Sequence, residues 1–88
     1  MKEKELERLL KAVANRRRLA ILKHLKDYKE KNVSDIAGHL RLSLKSTSRH
    51  LAVLANSGIL ERDQRSLEAY YSIASKLHSV INHIITIV

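Results

Sequence analysis

Charged and apolar positions alternate at helical spacing from the first residues of the chain. Leu6, Leu9, Leu10 and Val13 recur every three or four places among charged neighbours, which predicts an amphipathic helix over roughly residues 3 to 14. Asn15 interrupts the pattern. Leu19, Ile21, Leu22 and Leu25 resume it in a second helix, which ends in the polar run Asp27 to Asn32, read as a loop. Ser34 stands ahead of Asp35, Ile36 and Leu40, so its hydroxyl can cap a short third helix, with Asp35 favourably placed against the helix dipole. Ser43 offers another cap: a fourth helix runs from Leu44 to Ser57, and Gly58 supplies the left-handed residue that stops a helix at little cost. Ile59 to Asp63 and Ala69 to Ile73 have strand-like composition around the polar Gln64, Arg65 and Ser66, which predicts one short β-hairpin. From Ala74 onward, Leu77, Ile81, Ile84 and Val88 share a stripe that Val80, Ile85 and Ile87 widen into an unusually apolar fifth helix. The predicted order is α-α-α-α-β-β-α, mainly α with a small β-hairpin.

Two short helices about three residues apart, the second carrying Lys45, Ser46, Ser48, Arg49 and His50, have the spacing and chemistry of a helix-turn-helix. At about 100° per residue, Leu44, Thr47, Leu51, Leu54 and Ala55 fall on one side of the fourth helix, and Lys45, Ser46, Arg49, Ala52 and Asn56 on the other. The first side packs, Thr47 included; the second can read DNA. Lys45 and Arg49 are neighbours four apart, Ser46 sits beside them, and Ala52 is small enough to let the helix lie close in a groove. Outside this frame the same charges would be a solvated helix face.

Charge strengthens the nucleic-acid reading, since 17 Lys and Arg face 9 Asp and Glu among 88 residues, a formal net charge of +8. The absence of cysteine excludes disulfides, thiolate metal sites and cysteine nucleophiles, and fits a reducing compartment. A chain this short buries only about two-thirds of its unfolded surface, so its core is marginal alone. MKEKELERLL lacks the apolar run of a signal peptide. The longest uncharged stretch, Leu77 to Val88, would reach about 18 Å as a helix, against roughly 30 Å for a bilayer core. A single cytoplasmic domain over residues 1–88 is expected. Ser48 and His50 do not suggest a catalytic pair, because positions two apart on a helix diverge and no chain remains to build a cleft. Neither enzymatic activity nor a cofactor is expected.

Residues 12 to 73 resemble the winged helix-turn-helix of the ArsR-type transcriptional repressors: AVANRRRLAILKHL is similar to that family's second-helix entry, LRLSLKSTSRHLAVLANSGIL to its turn and recognition helix, and AYYSI to the end of its wing. The resemblance implies a homodimeric repressor on double-stranded DNA. It places Lys45, Ser46, Ser48, Arg49 and His50 where the family contacts DNA, and Arg65 at the wing tip. Arg62 and Arg65 flank the hairpin turn as candidates for phosphate contact, and could equally guard an exposed strand edge. Lys45, Ser46 and Arg49 are the expected base readers.

The chain also departs from the family. Arsenic- and cadmium-sensing members carry Cys-x-Cys before the third helix, where this chain has Asn32 and Ser34, so thiolate sensing is excluded. Zinc-sensing members use Asp and His on the last helix; here His78 and His83 lie about 140° apart on the wheel and cannot chelate one ion from one helix, so no metal is expected. The wing lacks its usual glycine, and Arg41 has no assigned role. Arg16, Arg17 and Arg18 oppose the dipole at a helix start, which either a bound phosphate or a salt-bridge network would explain.

No charged residue follows Lys76, and seven of the last twelve side chains are aliphatic. They wrap too far round a helix for one partner surface, so the remainder is expected to pack on a second protomer with help from Leu6, Leu9 and Leu10, in a two-fold interface. The alternative reading is a winged-helix protein-interaction module, which would lack salt-dependent binding to random duplex DNA.

Overall fold

Asn15 separates the first two helices. Its backbone is extended and its side-chain oxygen accepts hydrogen bonds from the amides of Arg17 and Arg18 at 2.9 and 3.1 Å, so α1 (Glu3–Val13) ends and α2 (Arg16–Lys26) begins around it. The computed structural model describes all residues 1–88, and the elements that follow are β1 (Lys31–Asn32), α3 (Val33–Leu40), α4 (Leu44–Asn56), β2 (Leu60–Arg65), β3 (Glu68–Ile73) and α5 (Ser79–Ile87). All five expected helices are present. No helix is long and apolar enough to cross a membrane.

The segment 27–32 departs from the expected loop. Lys31 and Asn32 pair with Tyr71 and Tyr70, making a three-stranded antiparallel sheet of order β1-β3-β2 instead of a lone hairpin. Two polar residues carry no strand periodicity, so only the partner strand defines β1. Asn32 then caps α3, its side chain accepting from the Asp35 amide at 2.8 Å, and Ser34, the expected cap, lies inside the helix. The hairpin turn is also tighter than expected. Gln64 and Arg65 belong to β2, Arg65 pairs with Glu68, and Ser66 takes the positive φ of 54° that a glycine would adopt more cheaply. The last helix starts at Ser79 and not at Ala74, because the His78 ring nitrogen accepts from the Val80 amide at 3.2 Å and caps it there.

Both helices of the helix-turn-helix end in a left-handed residue. After α4, Gly58 (φ 78°) lets the Ile59 and Gly58 amides close onto the Leu54 and Ala55 carbonyls, each at 3.0 Å. After α3, Arg41 fills the equivalent position at φ 56°, with the Leu42 amide bonded to the Ala37 carbonyl at 3.0 Å. Arg41 is therefore the residue that ends α3 and opens the turn.

One core cluster joins every helix to the sheet. Leu9 and Val13 from α1, Ile21, Leu22 and Leu25 from α2, Ile36 from α3, Leu51 and Leu54 from α4, Tyr71 from β3, and Ile81 and Ile85 from α5 all belong to it. Thr47 is fully buried, as the helical wheel requires. Leu44, expected on the packing side, is 57% exposed because it borders the open concavity beside the hairpin, which no other element fills.

Candidate nucleic-acid interface

The presentation of α4 follows from its start. Ser43 is extended and its hydroxyl accepts from the Ser46 amide at 3.0 Å, so the helix is regular from Leu44 and holds Lys45, Arg49, Ala52 and Asn56 in one exposed strip. α4 contains no carboxylate. Ser43, Lys45, Ser46, Arg49 and His50 surround one shallow concavity, so four of the residues expected to face DNA on this side stand together.

Two flanks border the strip, and they differ. On one, the Arg18 guanidinium lies 3.3 Å from the His50 Nδ1 and donates to the carbonyls of Ala12 and Lys11. Arg18 thus closes the C-terminal end of α1 and touches α4 with the same group. Burial lowers the pKa of His50 from its ordinary value, and the positive field of Arg18 and Arg17 lowers it further. The neutral ring is what an arginine donating to Nδ1 requires. Arg16 and Arg17 remain exposed beside Asn15, and no carboxylate lies within ion-pair distance of either. A salt-bridge network does not account for the Arg16–Arg18 run.

On the other flank a concavity opens between α4 and the wing, lined by Leu44 and Ser48 from the helix, Asn32, Val33 and Ser34 from the start of α3, and Arg62, Gln64, Leu67, Ala69 and the edge of Glu68 from the hairpin. Alternation along β2 places Arg62 and Gln64 on the face that also bears the core residue Leu60, with the Arg62 Nη2 donating to the Gln64 side chain at 2.6 Å. Ser48 and Arg62 therefore line one groove from two different elements. Leu67, 96% exposed at the turn, forms its outer rim. Strand composition holds no signal for either residue, because Gln64 falls in the expected polar turn and Leu67 lies outside both expected strands.

Arg65 is elsewhere. It lies on the opposite face of the hairpin, bound by both outer nitrogens to the Glu30 carboxylate and by Nε to Asp63. These bonds raise the Arg65 pKa and lower that of Glu30. Tyr70 donates its hydroxyl to Glu68 at 3.0 Å on the same face, which raises the Tyr70 pKa. His83 is exposed on α5, and His78 is occupied as its cap.

Comparison with known proteins agrees with this geometry. Residues 15–62 match the family model described as bacterial regulatory protein, arsR family. The chain is 39% identical over 67 residues to the transcriptional activator HlyU of Vibrio cholerae, and 38% over 65 residues to the transcriptional repressor PagR of Bacillus anthracis. These matches cover 76% and 74% of this chain but 61% and 65% of the relatives, so the chain spans a little under two-thirds of their length. The solved structure of Vibrio cholerae HlyU superposes with a TM-score of 0.81 at 31% identity, over 99% of this chain and 92% of that one. A domain from Mycobacterium bovis, described as a homodimeric winged helix-turn-helix DNA-binding domain, superposes with a TM-score of 0.80 at 30% identity, over 96% of this chain and 74% of that one. Fold, order of elements and sequence concur: the chain belongs to the arsR family of bacterial regulatory proteins.

Proposed function

We infer that the chain is a sequence-specific, double-stranded DNA-binding transcription regulator that acts in the cytoplasm by binding, without a catalytic step. The observation that carries this reading is the carboxylate-free exposed strip of α4, with Lys45, Ser46, Arg49 and His50 around one concavity. An α-helix with such a strip fits the major groove, where Arg or Lys pairs with guanine and a serine hydroxyl serves either donor or acceptor edges. Lys45, Ser46 and Arg49 are assigned to base edges, and Ser48 and Arg62 to the strand passing between helix and wing. His50 borders the reading strip on the side of Arg18, and Arg16 and Arg17 extend the basic surface there.

The regulator is read as a homodimer whose two α4 helices enter successive major grooves, so its operator is a palindrome. The Mycobacterium bovis neighbour described as homodimeric supports this. Repression by occluding a promoter requires only the DNA-bound dimer, and PagR is described as a repressor.

Selection of bound sequences from random duplexes tests the reading. A palindrome with half-sites about one helical turn apart is expected. On that operator Arg49→Ala should cost about 1–3 kcal/mol and on random DNA much less, because a base contact discriminates between sequences and a phosphate contact does not. Equal losses on both would remove Arg49 from the base readers. Absence of salt-dependent duplex binding would favour a protein-interaction module instead.

A further inference from the structure

The wing is supported along only part of its length. β1 pairs with β3 at Tyr70 and Tyr71 alone, so the outer part of the hairpin, from Gln64 round to Ala69, has no third strand beside it. Side chains take over where the ladder stops. Glu30, the residue before β1, accepts from Arg65 Nη1 at 2.6 Å and Nη2 at 2.7 Å, and Arg65 Nε donates to Asp63 at 2.9 Å. The guanidinium also stacks on Tyr70 at 4.5 Å, and Asn32 donates to Glu68 at 3.4 Å. All these wing residues share one hairpin face, since Asp63 is paired with Tyr70 and Arg65 with Glu68. Arg62 and Gln64 occupy the other face, toward α4.

Arg65 is thus the cation at the wing tip and also the more heavily bonded of the two hairpin arginines. Every nitrogen of its fork is committed to a carboxylate in the charge-assisted, bidentate arrangement that arginine makes most strongly. A DNA phosphate would have to displace Glu30 while approaching Asp63 and Glu68. Between Leu60 and Ile73 the hairpin carries Glu61, Asp63 and Glu68 against Arg62 and Arg65, so it has no excess positive charge to draw a phosphate to this face.

We propose that Glu30 and Arg65 are positioning residues, a latch that fixes the angle of the wing against the helix-turn-helix so that Arg62 and Gln64 meet the DNA, and that Arg65 does not contact DNA. The proposal rests on the DNA-binding reading for its consequence but not for the latch itself. It also reverses the simple expectation from charge. Removing the carboxylate of Glu30 makes the protein more cationic and should strengthen binding to any polyanion. If Glu30 holds the wing, its removal weakens binding to the operator instead.

The test compares the parent chain, Glu30→Ala, Arg65→Ala and the double variant. In the DNA-free protein, amide hydrogen exchange at residues 64–69 should accelerate in each variant by the same amount while exchange in α2 and α4 is unchanged. On the selected operator each single variant should bind roughly two- to fivefold more weakly, the range an exposed ion pair supports. The double variant should be no worse than either single one, since both substitutions break one contact. On random duplex Glu30→Ala should bind at least as well as the parent, and Arg65→Ala should leave the slope of log affinity against log salt unchanged. Additive losses with a salt slope lowered by about one in Arg65→Ala would make Arg65 a phosphate contact and overturn the proposal. Should the parent bind no duplex, the DNA reading fails and hydrogen exchange alone decides: faster exchange upholds the latch, and unchanged exchange overturns it.

Discussion

Thr47 shows how a single residue can be placed by the sequence and still hold an unforeseen feature. Its position on the wheel of α4, with Leu51 and Leu54, is enough to assign it to the core, and it is fully buried. Its Oγ1 has no hydrogen-bond partner. A buried hydroxyl without a partner costs about 1–3 kcal/mol, whereas valine has the same shape and no polar atom. Thr47→Val should therefore leave stability unchanged or raise it by up to about 2 kcal/mol. In urea denaturation the midpoint would move upward with an unchanged slope. A loss of more than about 1 kcal/mol would mean that the hydroxyl has a partner after all.

Among the secondary-structure elements, α3 tests how local the capping signal is. Ser34 and Asn32 are both good cap types two residues apart, and the residues nearby do not choose between them. Pairing of Asn32 with Tyr70 across β1 and β3 makes the choice, because it holds Asn32 extended while the chain turns into helix at Val33. Asn32→Ala should cost about 1 kcal/mol and Ser34→Ala no more than a few tenths, read from thermal or urea unfolding. The reverse order would return the cap to Ser34. α4 raises no such ambiguity. Ser43 and Gly58 bracket it in the sequence, and both act in the structure as their types imply.

For the whole molecule, α1 and α5 are the elements proposed to carry the contact between protomers. Each gives one side to the core, α1 through Leu9, Ala12 and Val13 and α5 through Ile81 and Ile85. Each also keeps apolar groups outside. Leu6, Leu10 and Ala14 line a shallow groove on α1, Leu10 is 41% exposed, and Ile87 on α5 is 69% exposed. Ending the chain at Lys76 would take Ile81 and Ile85 from the core and test folding more than assembly, so substitutions on the outer sides are the cleaner probe. Leu10→Glu combined with Ile87→Glu puts charge where each side chain would otherwise contribute up to about 1.5–3 kcal/mol of burial. The variant should keep its helix content, sediment as a monomer and lose most of its operator affinity, since one half-site cannot replace two. A monomeric variant with undiminished operator affinity would separate α1 and α5 from DNA binding.

The sequence by itself determined the number and kind of helices, the caps of α4, the burial of Thr47 and the placing of Lys45, Ser46 and Arg49 on the outer side of α4. All of these depend on residues three or four apart on one helix, where spacing alone sets the geometry. Tertiary structure alone decided that Lys31 and Asn32 form a strand, that Asn32 displaces Ser34 as a cap, that Leu44 stays exposed, and that Arg65 turns away from α4 toward Glu30. Each of those outcomes depends on a partner, or the lack of one, far along the chain. A two-residue strand gains its stability from the strand it joins, and an arginine chooses among carboxylates according to which of them the fold brings within reach.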